Sequence, residues 1–139
     1  MSNYVLVTGG AGYIGSHSVL ALMEAGYDPI VLDDFSNSSK ESISGIEKIY
    51  GAGPVVIEGN TGDSSLLMDI FSSYDVNSVL HFSGLKSVEE SMADPLRYYS
   101  ENVGSSLSLL RTMQEANIQT IIFSSSATVY DPESQVPYT

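Results

Sequence analysis

Five short runs of apolar residues recur along the chain, and they set its predicted architecture. The runs are Tyr4–Val7, Ile30–Leu32, Val55–Ile57, Val79–Phe82 and Ile121–Phe123. Each run is continuous rather than alternating, which is typical of strands that are covered on both faces. The first four runs lie about 25 residues apart, so each interval has room for a helix. The pattern predicts repeated βαβ units: an α/β fold with a doubly wound, Rossmann-like parallel sheet of about five strands.

The intervals between the runs carry signals for helix starts and stops. Apolar positions from about Tyr13 to Ala25 predict the first helix, and Gly26 is its predicted stop. The stretch from Phe35 to Ser44 is polar and rich in serine, which favours a loop before a short helix. Further along, Ser64 is predicted to cap a helix that continues through Phe71.

A longer helix is predicted from Asp94-Pro95, because a capping residue followed by proline is a strong helix start. Its apolar residues form one stripe at helical spacing: Leu96, Tyr99, Val103, Leu107, Leu110 and Met113. The simplest interpretation of this stripe is that it packs on the sheet. No linker or low-complexity segment divides the chain, which predicts one domain over residues 1–139.

Composition removes several classes of function. Five Lys or Arg against seventeen Asp or Glu give a net charge of −12, which disfavours nucleic acid and anionic membranes as partners. The chain has no cysteine and two histidines, so thiolate chemistry and a multi-histidine metal site are excluded. Because no apolar run approaches a membrane span and no signal peptide is evident at the N-terminus, we expect a reduced, cytoplasmic setting.

The first strand runs directly into a glycine-rich turn, Thr8-Gly9-Gly10-Ala11-Gly12-Tyr13-Ile14-Gly15. A pyrophosphate needs bare backbone N–H groups and gains from the positive end of a helix dipole. A lone glycine pattern is weak evidence, but this one lies where a strand ends and a helix begins. We therefore predict phosphate contacts at Gly9, Gly12 and Gly15; the alternative is an ordinary tight turn.

The second strand ends in two acidic residues, Asp33 and Asp34, about twenty residues beyond the glycine turn. An acidic residue at this position accepts hydrogen bonds from the ribose hydroxyls of adenosine and repels a 2′-phosphate. Asp33 thus favours NAD over NADP as the cofactor. Both acidic residues are predicted to contact the cofactor. A solvated loop acid is the plainer interpretation, and it suits Asp34 better than Asp33.

Three segments, VTGGAGYIGSH, HFSGLKSVEES and FSSSATVY, resemble UDP-glucose 4-epimerases, a family of extended short-chain dehydrogenase/reductases. The resemblance extends from Tyr4 to about Tyr130. In that family a bound NAD takes hydride from C4 of a UDP-hexose and returns it to the other face of the sugar. The resemblance therefore implies NAD as cofactor, a UDP-hexose as substrate, and a homodimer formed through the helix from Leu96 to Met113.

The resemblance also implies roles for individual residues. Tyr13 and Ile14 would cover the pyrophosphate, and Ser126 would be the catalytic serine that binds the reacting oxygen of the sugar; a loop serine is its alternative. Further cofactor contacts would come from Asn37, Ser38, Asn60, Thr61, Phe82, Ser83, Gly84, Leu85 and Lys86. Lys86 is otherwise a solvated lysine.

Several positions depart from the family pattern. Asn60 stands where an aspartate usually binds the adenine amino group, and its amide oxygen is expected to accept that bond instead. Ser83 replaces a usual alanine, Glu89 a glycine and Glu101 an asparagine near the cofactor.

The family's proton-transfer motif, Tyr-x-x-x-Lys, does not occur in the chain: none of the nine tyrosines has lysine four residues later. The chain thus resembles an incomplete NAD-binding domain, truncated before the later strands and without a substrate domain. Three hypotheses stay open: the inactive cofactor-binding part of an epimerase, a stand-alone NAD-binding module, and a structural remnant.

Overall fold

Five parallel strands form one sheet in the computed structural model, which describes residues 3–126 and Val129. They are β1 (Tyr4–Thr8), β2 (Asp28–Asp33), β3 (Val55–Glu58), β4 (Val76–His81) and β5 (Ile121–Phe123). The strand order is β3-β2-β1-β4-β5, and every neighbouring pair is parallel. The predicted Rossmann-like sheet is confirmed. The end of the resemblance at Tyr130 lies outside the described residues.

Helices cover both faces of the sheet. They are α1 (Tyr13–Glu24), α2 (Lys40–Tyr50), α3 (Ser64–Ser73), α4 (Val88–Ala93), α5 (Pro95–Tyr98), a π-helical segment (Tyr99–Gly104) and α6 (Ser105–Glu115). One core lies between the sheet and α1 and α2, and a second lies between the sheet and α3 and α6. Within residues 3–126, no helix has the length and apolarity to cross a bilayer.

The helix boundaries confirm some predictions and correct others. After α1, Gly26 adopts a left-handed φ of 82°, and the next N–H, that of Tyr27, donates to the Leu22 carbonyl at 2.9 Å. This is the glycine stop that was predicted. The cap of α3 is Asp63 rather than Ser64, because the Asp63 carboxylate accepts the N–H groups of Ser65 and Leu66.

The serine-rich stretch after β2 is helical over more of its length than predicted. Ser39 caps α2 by accepting the Glu41 N–H at 3.1 Å, and the helix begins at Lys40 rather than near Ile46. Ile43 and Ile46 are the buried residues of α2. Serines are weak helix formers, but a capped first turn and two buried isoleucines stabilise this helix.

The prediction that every strand is covered on both faces was wrong for the two edge strands, β3 and β5. β1 and β2 are almost wholly buried, whereas β3 alternates and β5 leaves Ile122 and Phe123 about 60% exposed. The cause is position, because β3 and β5 form the two edges of the sheet and only the inner strands are covered on both faces.

The apolar stripe of the long helical region does not pack on the sheet, so that interpretation was wrong. Leu96, Tyr99, Val103, Leu107 and Leu110 are 46–80% exposed, whereas Met113 is buried together with Leu109 and Thr112. The π-helical segment changes the number of residues per turn and therefore rotates the helical register of α6, which comes directly after it. Leu109 and Met113 pack in the core, whereas Ser106 and Ser108 meet polar groups near the strand ends, namely His81 Nε2 and the Gly62 carbonyl.

Candidate functional site

The site lies at the carboxyl edge of the sheet, where the turn between β1 and α1 crosses the end of β2. The Gly9 N–H donates to the Leu32 carbonyl at 2.8 Å, which fixes the turn to the neighbouring strand. Gly9 has a φ of 67°, and a Cβ there would lie 2.7 Å from the Ser83 nitrogen. Only glycine fits this conformation and this approach to the loop after β4.

Gly15 is required by the turn itself. A Cβ on Gly15 would overlap the Gly9 carbonyl oxygen and lie 2.8 Å from Gly10 Cα. The close contact is therefore between the start of α1 and the turn that precedes it. The close approach brings the first N–H groups of α1 to the mouth of the site.

The N-terminus of α1 has no side-chain cap. Gly12 occupies the cap position, and the first turn of the helix contains no acidic residue. The first N–H groups of a helix lack intrahelical partners, and the helix dipole places partial positive charge there. In a chain with a net charge of −12, this end is a local position where an anion is stabilised.

Asp33 is buried and connects three parts of the site. Its Oδ2 accepts the Ala11 N–H of the glycine turn at 3.0 Å, while its Oδ1 accepts the Phe35 N–H at 3.0 Å and the Ser38 hydroxyl at 2.7 Å. Phe35 has a left-handed φ of 55°, which is unfavourable for a bulky residue. The Asp33 carboxylate therefore holds the loop after β2 against the glycine turn.

The loop after β4, Phe82–Lys86, forms the opposite wall. The Asn102 side chain pairs with the backbone of Leu85, accepting its N–H at 2.7 Å and donating to its carbonyl at 3.0 Å. Gly84 has a φ of 143°, and a Cβ there would lie 3.0 Å from the Asn102 oxygen. The π-helical segment thus fixes the loop that carries Lys86.

Sequence reasoning noted His81 only as one of two histidines, but the structure places it in a buried hydrogen-bond chain. Its Nδ1 lies 2.6 Å from Thr8 Oγ1 and its Nε2 lies 2.9 Å from Ser106 Oγ. The chain continues from Thr8 Oγ1 to Ser83 Oγ at 3.2 Å and from there to Thr61 Oγ1 at 3.0 Å. These contacts join the ends of β1 and β4 and the loop after β3.

The donor and acceptor roles in this series of hydrogen bonds follow from Ser106. Ser106 donates its single hydroxyl hydrogen to the Asn102 carbonyl at 2.6 Å, so it accepts from His81 Nε2–H. A neutral imidazole then accepts at Nδ1, which makes Thr8 the donor to His81 and Ser83 the donor to Thr8. Thr61 donates to Ser83. With His81 neutral, each hydrogen bond in this series therefore has one donor and one acceptor.

Burial, together with the smaller effect of the nearby positive charge of Lys86, lowers the pKa of His81 from 6.5 to about 4. The unfolded chain therefore binds a proton near pH 6.5 that the folded chain does not bind until about pH 4. We expect the free energy of unfolding to fall by roughly 3 kcal/mol across this interval as the pH decreases.

Urea unfolding at several pH values between 7 and 4 measures this effect, with the His81→Asn variant as the reference. Carboxyl groups titrate in both proteins, so the difference between the two slopes isolates His81. The variant is expected to be less stable at pH 7 but to lose less stability toward pH 4. If the free energy of unfolding changed equally with pH in the two proteins, the lowered pKa of His81 would be contradicted.

A cavity of about 410 Å³ lies between these elements. All sixteen residues predicted to contact the cofactor line it: Gly9, Gly12, Tyr13, Ile14, Gly15, Asp33, Asp34, Asn37, Ser38, Asn60, Thr61, Phe82, Ser83, Gly84, Leu85 and Lys86. Ser126, the predicted catalytic serine, is exposed beyond β5 and outside this lining. The structure thus brings the sixteen residues together, while their contacts with a ligand stay predictions.

The cavity also has lining residues that sequence reasoning did not assign to it: Leu32, Ser36, Gly59, Ser105 and Ser124. Glu101, which the sequence marked only as a departure from the family near the cofactor, lines it as well. Ser105 and Ser124 could have been found from their positions, since one begins α6 and the other comes directly after β5. Among the described lining residues, Lys86 is the one cation, and it shares the cavity with Asp33, Asp34 and Glu101. Residues 3–126 contain no group of three acidic or histidine side chains arranged for a metal ion.

Comparison with known proteins places this architecture in a family. A family model described as the NAD dependent epimerase/dehydratase family matches residues 5–139. A UDP-glucose 4-epimerase from Yersinia enterocolitica is 52% identical over 135 residues, which cover 97% of this chain and 40% of that protein. A UDP-glucose 4-epimerase from Klebsiella pneumoniae is 42% identical, with 96% of each chain covered.

Solved structures agree with the sequence comparison. The crystal structure of UDP-glucose 4-epimerase from Bifidobacterium longum in complex with NAD+ and UDP has a TM-score of 0.93 and 42% identity. The match covers 99% of this chain and 41% of that one. The chain spans about 40% of the length of most of the epimerases it matches. This chain belongs to the NAD dependent epimerase/dehydratase family and is a homologue of the UDP-glucose 4-epimerases.

Proposed function

We propose that the chain binds NAD in the cavity at the carboxyl edge of the sheet, as the cofactor-binding part of a UDP-hexose 4-epimerase. The observation that carries the proposal is the junction of the glycine turn with Asp33, whose carboxylate accepts the Ala11 N–H. The glycines leave a cradle of bare backbone that a Cβ would fill, which suits a pyrophosphate. The related enzyme from Bifidobacterium longum was crystallised with NAD+ and UDP, which supports the same ligand class.

Each wall of the cavity would hold one part of the dinucleotide. The uncapped start of α1 would bind the pyrophosphate, with Tyr13 and Ile14 above it. Asp33, with Asn37 and Ser38, would lie along the adenosine ribose. The loop of residues 82–86 would line the rest of the cofactor, and Lys86 would offset part of its negative charge.

By the resemblance to the 4-epimerases, bound NAD would supply hydride transfer to and from C4 of a UDP-hexose. The chain's own residues would position the cofactor, and Ser126 would hydrogen-bond the reacting oxygen of the sugar. Because the chain contains no Tyr-x-x-x-Lys sequence, it offers no lysine-assisted tyrosine base. That absence favours a second candidate for this chain alone, a non-catalytic NAD-binding module.

Calorimetric titration of the chain with NAD and NADP tests the proposal. We expect one NAD to bind per chain and NADP to bind at least about tenfold more weakly, because the 2′-phosphate would approach the Asp33 carboxylate. The same preparation assayed with UDP-galactose is expected to give no turnover. A flat titration with folded protein would contradict NAD binding and support a structural remnant.

Two further assignments accompany the proposal. The exposed stripe of Leu96, Tyr99, Val103, Leu107 and Leu110 supports self-association, since a patch of this kind is typical of an interface. We propose a homodimer through this helical region. An incomplete NAD-binding domain over residues 1–139, with a reduced, cytoplasmic setting, stays a prediction from the sequence.

A further inference from the structure

One end of the cavity lies beyond Asp33, where three side chains from distant parts of the chain meet. Asp34 comes directly after β2, Asn60 lies two residues after β3, and Glu101 belongs to the π-helical segment. All three line the cavity. The Asn60 amide nitrogen lies 3.5 Å from Asp34 Oδ2 and 3.4 Å from Glu101 Oε2, so one amide bridges two carboxylates.

The order of the strands indicates which part of a dinucleotide would occupy this end. The glycine turn comes after β1, Asp33 ends β2, and the next strand outward is β3. A ligand with its pyrophosphate at the glycine turn and its ribose at Asp33 extends its base over the end of β3. This step rests on the proposed NAD binding. The base would therefore lie beside Asn60 and Glu101.

The orientation of Asn60 is fixed by its neighbours. Its Oδ1 accepts the Gly62 N–H at 2.7 Å, while its Nδ2 points toward the two carboxylates. If the Asn60 amide were flipped, its NH₂ group would face the Gly62 N–H. Its oxygen would then face the carboxylates of Asp34 and Glu101. The Asn60 oxygen is thus directed into its own turn, where Gly62 occupies one of its two acceptor positions, so it is less available to the base than a free carboxylate oxygen.

Glu101 offers an acceptor instead. Its Oε2 receives one hydrogen bond, from Asn60, and its Oε1 receives none from the residues that the structure describes. Asp34 is more occupied, because its Oδ1 already accepts both the N–H and the hydroxyl of Ser36. Glu101 is half-buried, whereas Asp34 is exposed. The better placed free oxygen at this end of the cavity therefore belongs to Glu101.

We propose that Glu101 is a specificity-determining residue for the nucleobase, accepting a hydrogen bond from the exocyclic amino group of adenine. A base with a carbonyl at the same position, such as hypoxanthine, would place a second acceptor against the carboxylate. The Asn60 amide supports this role, because its nitrogen donates to the Glu101 carboxylate and holds it at the base end of the cavity. Discrimination arises because a carboxylate has no hydrogen to donate to a carbonyl.

The test compares NAD with nicotinamide hypoxanthine dinucleotide, which carries the same charge and replaces the adenine amino group with a carbonyl. We expect the unmodified chain to bind NAD about tenfold more tightly than the analogue. In Glu101→Gln, whose amide presents either an oxygen or an NH₂ group, the preference is expected to fall below about threefold. Because both ligands carry equal charge, the lost negative charge changes both affinities alike and cancels in the ratio.

Glu89→Gln is the matched control, since Glu89 lies on α4, is exposed, and is absent from the described cavity lining. It removes the same charge and is expected to keep the tenfold preference. Should Glu101→Gln fail to fold, as judged by circular dichroism, Glu101→Ala replaces it with the same expected loss of preference. An unchanged ratio in the folded Glu101 variant, or no preference in the unmodified chain, would overturn the proposal. Absence of binding by both ligands would instead contradict the proposed NAD binding.

Discussion

Replacing Gly15 with alanine is expected to abolish measurable NAD binding and to lower the free energy of unfolding by about 3 kcal/mol. The added Cβ would overlap the Gly9 carbonyl oxygen, and its other near neighbours, Gly10 Cα and Gly9 C, are also backbone atoms. Backbone atoms cannot rotate away as a side chain can. The start of α1 must therefore separate from the glycine turn, and the N–H groups that would bind the pyrophosphate lose their alignment. Urea unfolding and calorimetry with NAD measure the two effects.

Gly45→Ala provides the control for this substitution. Gly45 lies within α2 and is not a left-handed residue, and a Cβ there would meet no atom within 4 Å outside the nearby backbone of its own helix. Alanine at that position is expected to stabilise the helix by about 0.5–1 kcal/mol and to leave NAD binding unchanged. A Gly15→Ala variant with the stability and affinity of the unmodified chain would contradict the close packing of the turn.

The second large effect is expected at Asp33. In Asp33→Asn one of the two carboxylate oxygens becomes an NH₂ group, which opposes either the Ala11 N–H or the Phe35 N–H. A buried donor left without an acceptor destabilises the fold by about 2–3 kcal/mol, and the unfavourable φ of Phe35 loses its support. Because the loop and the glycine turn then separate, NAD affinity is expected to fall at least about tenfold. Chemical unfolding and a titration with NAD test this.

Asp34→Asn is the matched reference for stability, since the neighbouring carboxylate is exposed. The Asp34 carboxylate accepts hydrogen bonds from Ser36, and water can replace them at little cost. We therefore expect the free energy of unfolding to fall by less than about 1 kcal/mol. Equal destabilisation by the two variants would mean that burial and the three hydrogen bonds of Asp33 do not set its importance.

The parts of the fold and site that the sequence predicted well are those whose signals are local. The glycine turn is continuous in the chain, and the close contacts of Gly9 and Gly15 explain why those residues are glycines. The apolar runs predicted the inner strands because burial on both faces requires consecutive apolar residues. Asp33 was predicted from its position at the end of β2, although its three hydrogen bonds were not.

The parts that could not be predicted depend on contacts between distant residues. Asn60 and Glu101 lie 41 residues apart, so their hydrogen bond leaves no pattern in either segment. The buried serine and histidine chain likewise joins residues from distant elements. The apolar stripe misled because a π-helical turn, which has no clear sequence signal, rotated the exposed face of the long helix.

The strand order also has a consequence for the order in which the sheet can form. β1 pairs with β2 across 24 residues, from Tyr4 to Asp28, whereas Thr8 meets His81 across 73 residues. The entropy of closing a loop grows slowly with its length, so the longer closure costs only about 1 kcal/mol more. On a ribosome, however, β1 has one partner available until β4 has emerged, and the half of the site built on β4 is the last to assemble. The glycine turn and Asp33 therefore come together first, and the wall that carries Lys86 is added afterwards.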